Sequence, residues 1–84
     1  MIEIRASEIF SKEDFYKLIN ELFDFSNRVS NLDGLFDELV GARKKIRIRD
    51  YKILYDRLGE YGLRIIKVFI DASFILDIDV DLIS

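Results

Sequence analysis

Three short stretches in which apolar and charged residues alternate constrain the fold most strongly. They are residues 2–5, 45–49 and 77–82. Such alternation places the apolar side chains on one face of an extended strand and the charged side chains on the other. The intervening segments are long enough for the helical crossovers that parallel strands require. The sequence therefore predicts an α/β fold, a small three-stranded parallel sheet with about four helices and one buried face.

Helix signals open the segment between the first two strands. Ser11 can cap a helix, because its hydroxyl can accept a free backbone N–H, and Asp14 lies in the first turn, where negative charge is favoured. A second helix begins at Ser30 or Asn31, which are both good caps. Gly41 stands just past its end, as helix ends prefer.

Two further helices are predicted between the second and third strands. Asp50 can cap the first of them, and Gly59 and Gly62 break it. Residues 63–76 then form a buried helix, because four polar residues recur at spacings of four, three and four, as on one helical stripe. These polar residues are Glu60, Arg64, Lys67 and Asp71. Lys67 and Asp71 are expected to form a surface ion pair.

The outward residues of the three strands predict a charge ladder on the exposed sheet face. They are Glu3 and Arg5 on the first strand, Lys45, Arg47 and Arg49 on the second, and Asp77, Asp79 and Asp81 on the third. If the first strand is central, acidic and basic rows flank a mixed row. Opposite charges on neighbouring strands attract one another across such a face.

Composition excludes several classes of function. The chain of 84 residues, predicted to form one domain over residues 1–84, has no cysteine and no histidine. Disulfides, thiolate chemistry and the usual general base near neutral pH are therefore absent. The N-terminus lacks the apolar run of a signal peptide, and charges interrupt the longest apolar region. We expect a soluble cytoplasmic protein that is not an enzyme, holds no cofactor or metal and does not enter a membrane.

Two charge clusters allow other interpretations. The alternating acids of residues 77–81 resemble the start of a calcium loop, but Leu82 replaces the glycine that such a loop needs. The basic run of residues 43–49 could contact nucleic acid, although it has no interleaved aromatic residues for stacking. A solvated sheet face accounts for the acidic cluster and for half of the basic run, so no metal is predicted. Nucleic-acid binding through residues 43–49 is the weakest of three hypotheses for the function.

The second predicted helix places two carboxylates on one face. Leu32, Leu35 and Leu39 define its buried side, and Asp33 and Asp37 lie together away from it. Phe36 falls between the two groups. Paired carboxylates can serve glycoside hydrolysis, but that chemistry needs a sugar-sized cleft, for which 84 residues leave little room. The alternatives are a solvated acidic side and a face that meets positive charge.

The same helix carries a family resemblance. Its segment Asn31-Leu-Asp-Gly-Leu-Phe-Asp-Glu-Leu-Val-Gly41 is similar to the signature helix of the barstar family of bacterial ribonuclease inhibitors. In that family the segment reads roughly Asn-Leu-Asp-Ala-Leu-Trp-Asp, with a glycine soon after. Val68-Phe-Ile-Asp-Ala72 resembles the family's Val-Phe-Arg-Glu-Ala, and Leu82-Ile-Ser84 resembles its ending. The predicted order of elements is similar over nearly the whole chain.

The resemblance implies an inhibitor that plugs the basic active site of a ribonuclease. Asp37 would occupy the place of the substrate phosphate, and Asp33 would match the first interface aspartate. Phe36 would replace the family's interface tryptophan, and Asp71 would match the acidic residue on the last helix. Carboxylates on a rigid face mimic phosphate charge, and opposed potentials accelerate the encounter.

Departures from the family surround this acidic centre. Asn27 and Val29 stand at the contact positions where family members usually carry tyrosine and glycine, and Ala42 replaces an aromatic residue. Arg28 and Arg43 add positive charge nearby. The prediction is a cytoplasmic ribonuclease inhibitor or immunity protein that binds its target one to one.

A second prediction belongs to a different class of function. The chain could be a small protein-interaction domain with no nuclease target. In that case Ile70 and Phe74, which lie near the polar stripe of the last helix, would support self-association.

Overall fold

Three parallel strands and four α-helices make up the part of the chain that the computed structural model describes, residues 1–42 and 44–84. In chain order the elements are β1 (Ile2–Arg5), a 3-10 helix (Ala6–Glu8), α1 (Lys12–Leu22), α2 (Leu32–Ala42), β2 (Ile46–Arg49), α3 (Lys52–Leu58), α4 (Glu60–Ile75) and β3 (Val80–Ile83). The α/β class and the parallel three-stranded sheet are confirmed. Arg43, in the predicted basic run, lies outside the described residues.

The basic strand β2 is the central strand of the sheet, between β1 and β3. Glu3 lies opposite Arg47, and Arg47 lies opposite Asp81. The arrangement with the first strand in the centre is therefore wrong. The observed order places acidic residues on both sides of the basic strand, an arrangement that attraction between opposite charges on neighbouring strands favours.

One face of the sheet packs against the helices. Ile4 and Ile48 point into the core, whereas Arg5 and Arg49, on the opposite pleat, are exposed. Phe15 of α1 and Phe69 of α4 are the largest fully buried side chains that pack on this face. Each such side chain stabilises the fold by roughly 1.5–3 kcal/mol through burial.

Ion pairs join the strands on the open face of the sheet. The Glu3 carboxylate binds the Arg49 guanidinium and lies 3.6 Å from Arg5 Nε, and Lys45 Nζ lies 3.6 Å from Asp79 Oδ2. The hydrogen bond from Arg49 holds the pKa of the Glu3 carboxyl below its usual value. Exposed pairs of this kind contribute little to stability, because water and salt screen them.

The caps of two helices differ in how well the sequence predicts them. The Ser11 hydroxyl accepts the Asp14 N–H at 3.1 Å, as expected. The prediction that Asp50 caps α3 is wrong: Asp50 is in the left-handed region, with φ +55°, and Tyr51 precedes the helix without a side-chain cap. The backbone carbonyl of Asp50 accepts the Ile53 N–H at 2.9 Å instead.

Helix α4 begins at Glu60, three residues earlier than expected. Gly59 ends α3 with φ +60°, but Gly62 lies inside α4, so the prediction that Gly62 breaks the helix is wrong. A Cβ atom on Gly62 would collide with the backbone carbonyl of Leu54. Glycine at this position therefore allows the backbones of α3 and α4 to approach closely.

Two smaller boundaries also differ from the predictions. Helix α2 continues through Gly41 to Ala42, and β3 begins at Val80. Asp77 has φ +56°, and Ile78 is buried, so the alternating segment turns into the core before it becomes a strand. Within the described residues, no helix is both long and apolar enough to cross a membrane.

Candidate interaction site on helix α2

Helix α2 separates its apolar and acidic residues as the sequence predicts. Leu35 and Leu39 are fully buried, whereas Asp33 and Asp37 are exposed. Phe36 is partly buried and packs against the core between these two groups. The helix therefore presents two carboxylates and the edge of one aromatic ring to solvent.

A side-chain cap fixes the start of this helix. Asn31 Oδ1 accepts the Gly34 N–H at 2.7 Å, and the Asn31 carbonyl accepts the Leu35 N–H at 3.0 Å. A Cβ atom on Gly34 would lie 3.2 Å from Asn31 Oδ1. Because a larger residue would press on the capping amide, glycine suits this position, and the Asp-Gly dipeptide lies in the first turn of a helix.

The loop before α2 is tied to the helices on both sides. Glu38 Oε1 accepts the N–H groups of Ser26 and Asn27, at 2.8 and 3.3 Å. The Asn20 side-chain amide donates to the Val29 carbonyl and accepts the Val29 N–H, both at 2.8 Å. Asn20 and Glu38 thus position the site, and neither residue is predicted from the sequence. A polar residue beside the apolar stripe of α1 was the available signal for Asn20.

The two predicted loop contacts take different positions. Asn27 is exposed and can meet a partner, whereas Val29 is 2% exposed and belongs to the core. The bonds to Asn20 hold both backbone polar groups of Val29 against α1 and direct its side chain inward. The Val29 side chain therefore supports the loop from inside, and the contact of this position with a nuclease stays a prediction.

A groove of about 440 Å³ between α2 and α4 brings two of the predicted acids together. Asp33 lines it from α2, and Asp71 lines it from α4. Arg64 and Lys67 also line the groove, and Arg64 Nη2 binds Glu60 Oε1 at 3.2 Å. The expected ion pair of Lys67 with Asp71 is not formed within 4 Å among the described residues.

Asp37 lies beside a different groove, of about 390 Å³, between α2 and the loop before it. Asp24 and Glu38 add carboxylates to this groove, and Lys44 adds one positive charge. The stacked rings of Phe23 and Phe25, whose centroids are 4.8 Å apart, form part of its wall. The site is therefore a ridge, the exposed side of α2, with a groove of mixed charge on each flank.

The carboxylates of the ridge, and that of Asp71 on α4, remain open to a partner. In the described part of the chain, no Lys or Arg nitrogen lies within 4 Å of the Asp33, Asp37 or Asp71 carboxylates. Arg28 is exposed on the preceding loop. An incoming cation would therefore meet these three acids without first displacing an ion pair formed by the described residues.

The chain matches no protein-family profile, no characterised protein and no solved structure.

Proposed function

We propose that this protein is a cytoplasmic inhibitor of a ribonuclease, of the barstar type, that binds the enzyme one to one. The ridge of α2 would enter the basic active site. Asp37 would take the place of the substrate phosphate, with Asp33 and Asp71 beside it. Phe36 would supply the apolar contact. Asn27 would meet the rim of the enzyme from the neighbouring loop.

This proposal is supported most directly by the exposed Asp33 and Asp37, which have no ion-pair partner among the described residues and lie on a helix whose position is fixed. Asn31 caps α2, and Glu38 binds the loop in front of it. A partner therefore meets a surface that needs little ordering on binding, which preserves affinity. A ribonuclease cleft that attracts phosphate attracts such carboxylates for the same electrostatic reason.

Two like charges on one helix face also support a role in binding. Asp33 and Asp37 stand four residues apart and repel each other, which destabilises a helix by about 0.2–0.5 kcal/mol. The core does not need them, because the buried side of α2 consists of Leu35 and Leu39. A basic partner would turn this local cost into a favourable contact.

The flanking cations narrow the choice of nuclease. Lys44 lines the groove beside Asp37, and Arg64 and Lys67 line the groove beside Asp33. A basic rim around the enzyme's cleft would be repelled by these residues. We therefore propose a target whose positive charge is concentrated at the centre of the active site, with a neutral or acidic rim.

Capture from the lysate and the secretome of the source organism tests the proposal. The wild-type protein should retain a ribonuclease in a one-to-one complex, and adding the protein should stop RNA cleavage by the recovered enzyme. Asp37→Ala should lose both properties. The complex should weaken as the salt concentration rises, because salt screens exposed charges.

A matched variant controls for net charge. Asp56→Ala removes the same charge from an exposed position on α3 and should bind like the wild type. The proposal fails if the wild type recovers no ribonuclease. It also fails if Asp37→Ala and Asp56→Ala reduce inhibition equally, since that result would reflect total charge alone.

The exposed apolar side chains of α4 favour a second function, a protein-interaction domain without a nuclease target. Phe74 is 82% exposed and Ile70 is 37% exposed, and both are large. In that case the α4 surface would be the principal binding site, and Asp37→Ala would leave all partner binding intact.

A further inference from the structure

The outward face of α4 carries three large apolar side chains that the proposed inhibitor site does not use. Leu63 is 50% exposed, Ile70 is 37% exposed and Phe74 is 82% exposed. Together with the exposed Lys67, these residues form a row with spacings of four, three and four. This is the spacing of the contact positions of a coiled coil.

The row can be assigned to heptad positions. Leu63 and Ile70 occupy d positions, and Lys67 and Phe74 occupy a positions. Arg64 and Asp71 each follow a d residue and so occupy the flanking e positions. The inner side of the same helix is already used, because Ile65, Phe69 and Ala72 are buried in the core.

The single lysine in this row distinguishes the two ways in which a second α4 can pack. In a parallel pair, a residue at an a position meets its own copy, so Lys67 would face Lys67 and repel it. In an antiparallel pair, an a residue meets a d residue. Lys67 then lies beside Ile70 of the other copy, and Leu63 lies beside Phe74, so the like charges move apart.

The flanking charges complement one another in the antiparallel arrangement. With Leu63 beside Phe74 of the second copy, the e positions of the two helices face each other. Arg64 of each copy then lies beside Asp71 of the other. The Asp71 carboxylate has no cation within 4 Å in the described part of the chain, and Arg64 binds only at the surface, to Glu60.

We propose that this protein forms a symmetric homodimer through antiparallel packing of the α4 helices. The row from Leu63 to Phe74 forms the contact, and two Arg64–Asp71 pairs between the copies set its direction. The row spans eleven helical steps, about 17 Å. An interface of this length is smaller than that of a standard stable complex, so the dimer forms at high protein concentration.

Sedimentation equilibrium of the full chain, from about 10 µM to about 1 mM, tests the association without any nuclease. The wild type should shift from monomer to dimer across this range. Phe74→Ser should weaken dimerisation about tenfold or more, because it removes the most exposed member of the row. Ile75→Ser is the matched control: Ile75 is 70% exposed but lies one position outside the row, and its dimer should be unchanged.

Charge exchange tests the proposed pairing. Arg64→Asp or Asp71→Arg alone turns two attractive pairs into repulsive ones and should weaken the dimer by about tenfold. The double variant Arg64→Asp/Asp71→Arg restores opposite charges and should recover the wild-type constant within about twofold. Circular dichroism should show the same helix content in all four proteins.

Disulfide trapping determines the direction of packing. The chain has no cysteine, so Lys67→Cys and Ile70→Cys each introduce a unique thiol. When the two variants are mixed and oxidised, the antiparallel dimer should yield mainly a disulfide that joins the Lys67→Cys variant to the Ile70→Cys variant. Two homodisulfides in place of the mixed species would indicate parallel packing and overturn the proposal.

Two other results would overturn it. One is a wild type that remains monomeric at about 1 mM, which would leave this face to a different protein. The other is a double charge variant that dimerises no better than the single variants. Asp71 belongs to both proposed surfaces, so nuclease inhibition is measured separately with Asp37→Ala, which lies on α2 outside the dimer contact.

Discussion

Helices α2 and α4 pack against the same core and contact each other, yet their outward faces are opposite in character. Helix α2 turns Asp33 and Asp37 to solvent, whereas α4 turns Ile70 and Phe74 to solvent. Their inner faces are alike in being apolar: α2 buries two leucines, and α4 buries two isoleucines, a phenylalanine, an alanine and a glycine. Packing of the core therefore determines the residues of the inner faces, whereas it does not determine those of the outer faces.

Each outer face departs from what would stabilise an isolated domain. Like charges repel on α2, and the apolar side chains on α4 gain little from partial burial. A surface that served only solubility would carry mixed charges on α2 and no large exposed apolar side chains on α4. The two faces therefore fit different partners. The outer face of α2 suits a basic surface, and that of α4 suits an apolar surface.

Two phenylalanines of α4 test which of its faces is buried, and they give the largest expected effect on stability. Phe69→Ala should lower the free energy of unfolding by about 3–5 kcal/mol, because Phe69 is fully buried. Phe74→Ala should change it by less than about 0.5 kcal/mol at concentrations where the protein is monomeric. Urea denaturation measures both. A comparable loss in the two variants would contradict the assignment of Phe74 to the outer face.

Two glycines give the next contrast. Gly62→Ala should destabilise the protein by about 1–3 kcal/mol, since the added methyl group would collide with the Leu54 carbonyl and force α3 away from α4. Gly41→Ala in α2 has nothing within 4 Å and should be neutral or stabilising by up to about 1 kcal/mol. Thermal unfolding of both variants is the measurement. A stable Gly62→Ala protein would show that the helices tolerate a wider separation.

The cap of α2 has a smaller expected effect. Asn31→Ala removes the acceptor of the Gly34 N–H and should cost about 1 kcal/mol. Ser30→Ala is the matched control, because Ser30 is the other predicted cap and is exposed. If Ser30→Ala reduces stability more than Asn31→Ala in urea denaturation, the cap is wrongly assigned.

The sequence predicts the fold well wherever local periodicity determines structure. The alternation in β1 and β2 and the Ser11 cap depend on neighbouring residues alone, and they agree with the structure. The order of the strands does not, because it depends on which distant strands attract each other. The prediction that Gly62 breaks a helix is wrong for the same reason, because the role of this glycine depends on the Leu54 carbonyl of another helix.

The candidate site shows the same division. Helical spacing alone places Asp33, Phe36 and Asp37 at the surface of α2, as the structure has them. Spacing cannot indicate that Asp33 and Asp71 share a groove, because they lie on different helices. It also cannot show that Asn20 draws Val29 into the core, since both hydrogen bonds join residues nine positions apart.

The smallest predicted effect separates stability from function on α2 itself. Asp37→Asn keeps the shape of the side chain and removes the repulsion from Asp33, so it should raise the free energy of unfolding by about 0.2–0.5 kcal/mol. Asp33→Asn relieves the same repulsion but gives up a negative charge in the first turn, where the helix dipole favours it, so stability should be unchanged or lower. The difference between the variants should shrink as salt is added, because both terms act between exposed charges. Urea denaturation at low and high salt measures it. If Asp37→Asn is less stable than the wild type at low salt, Asp37 has a favourable partner in the free protein, and its carboxylate is not held ready for a basic surface.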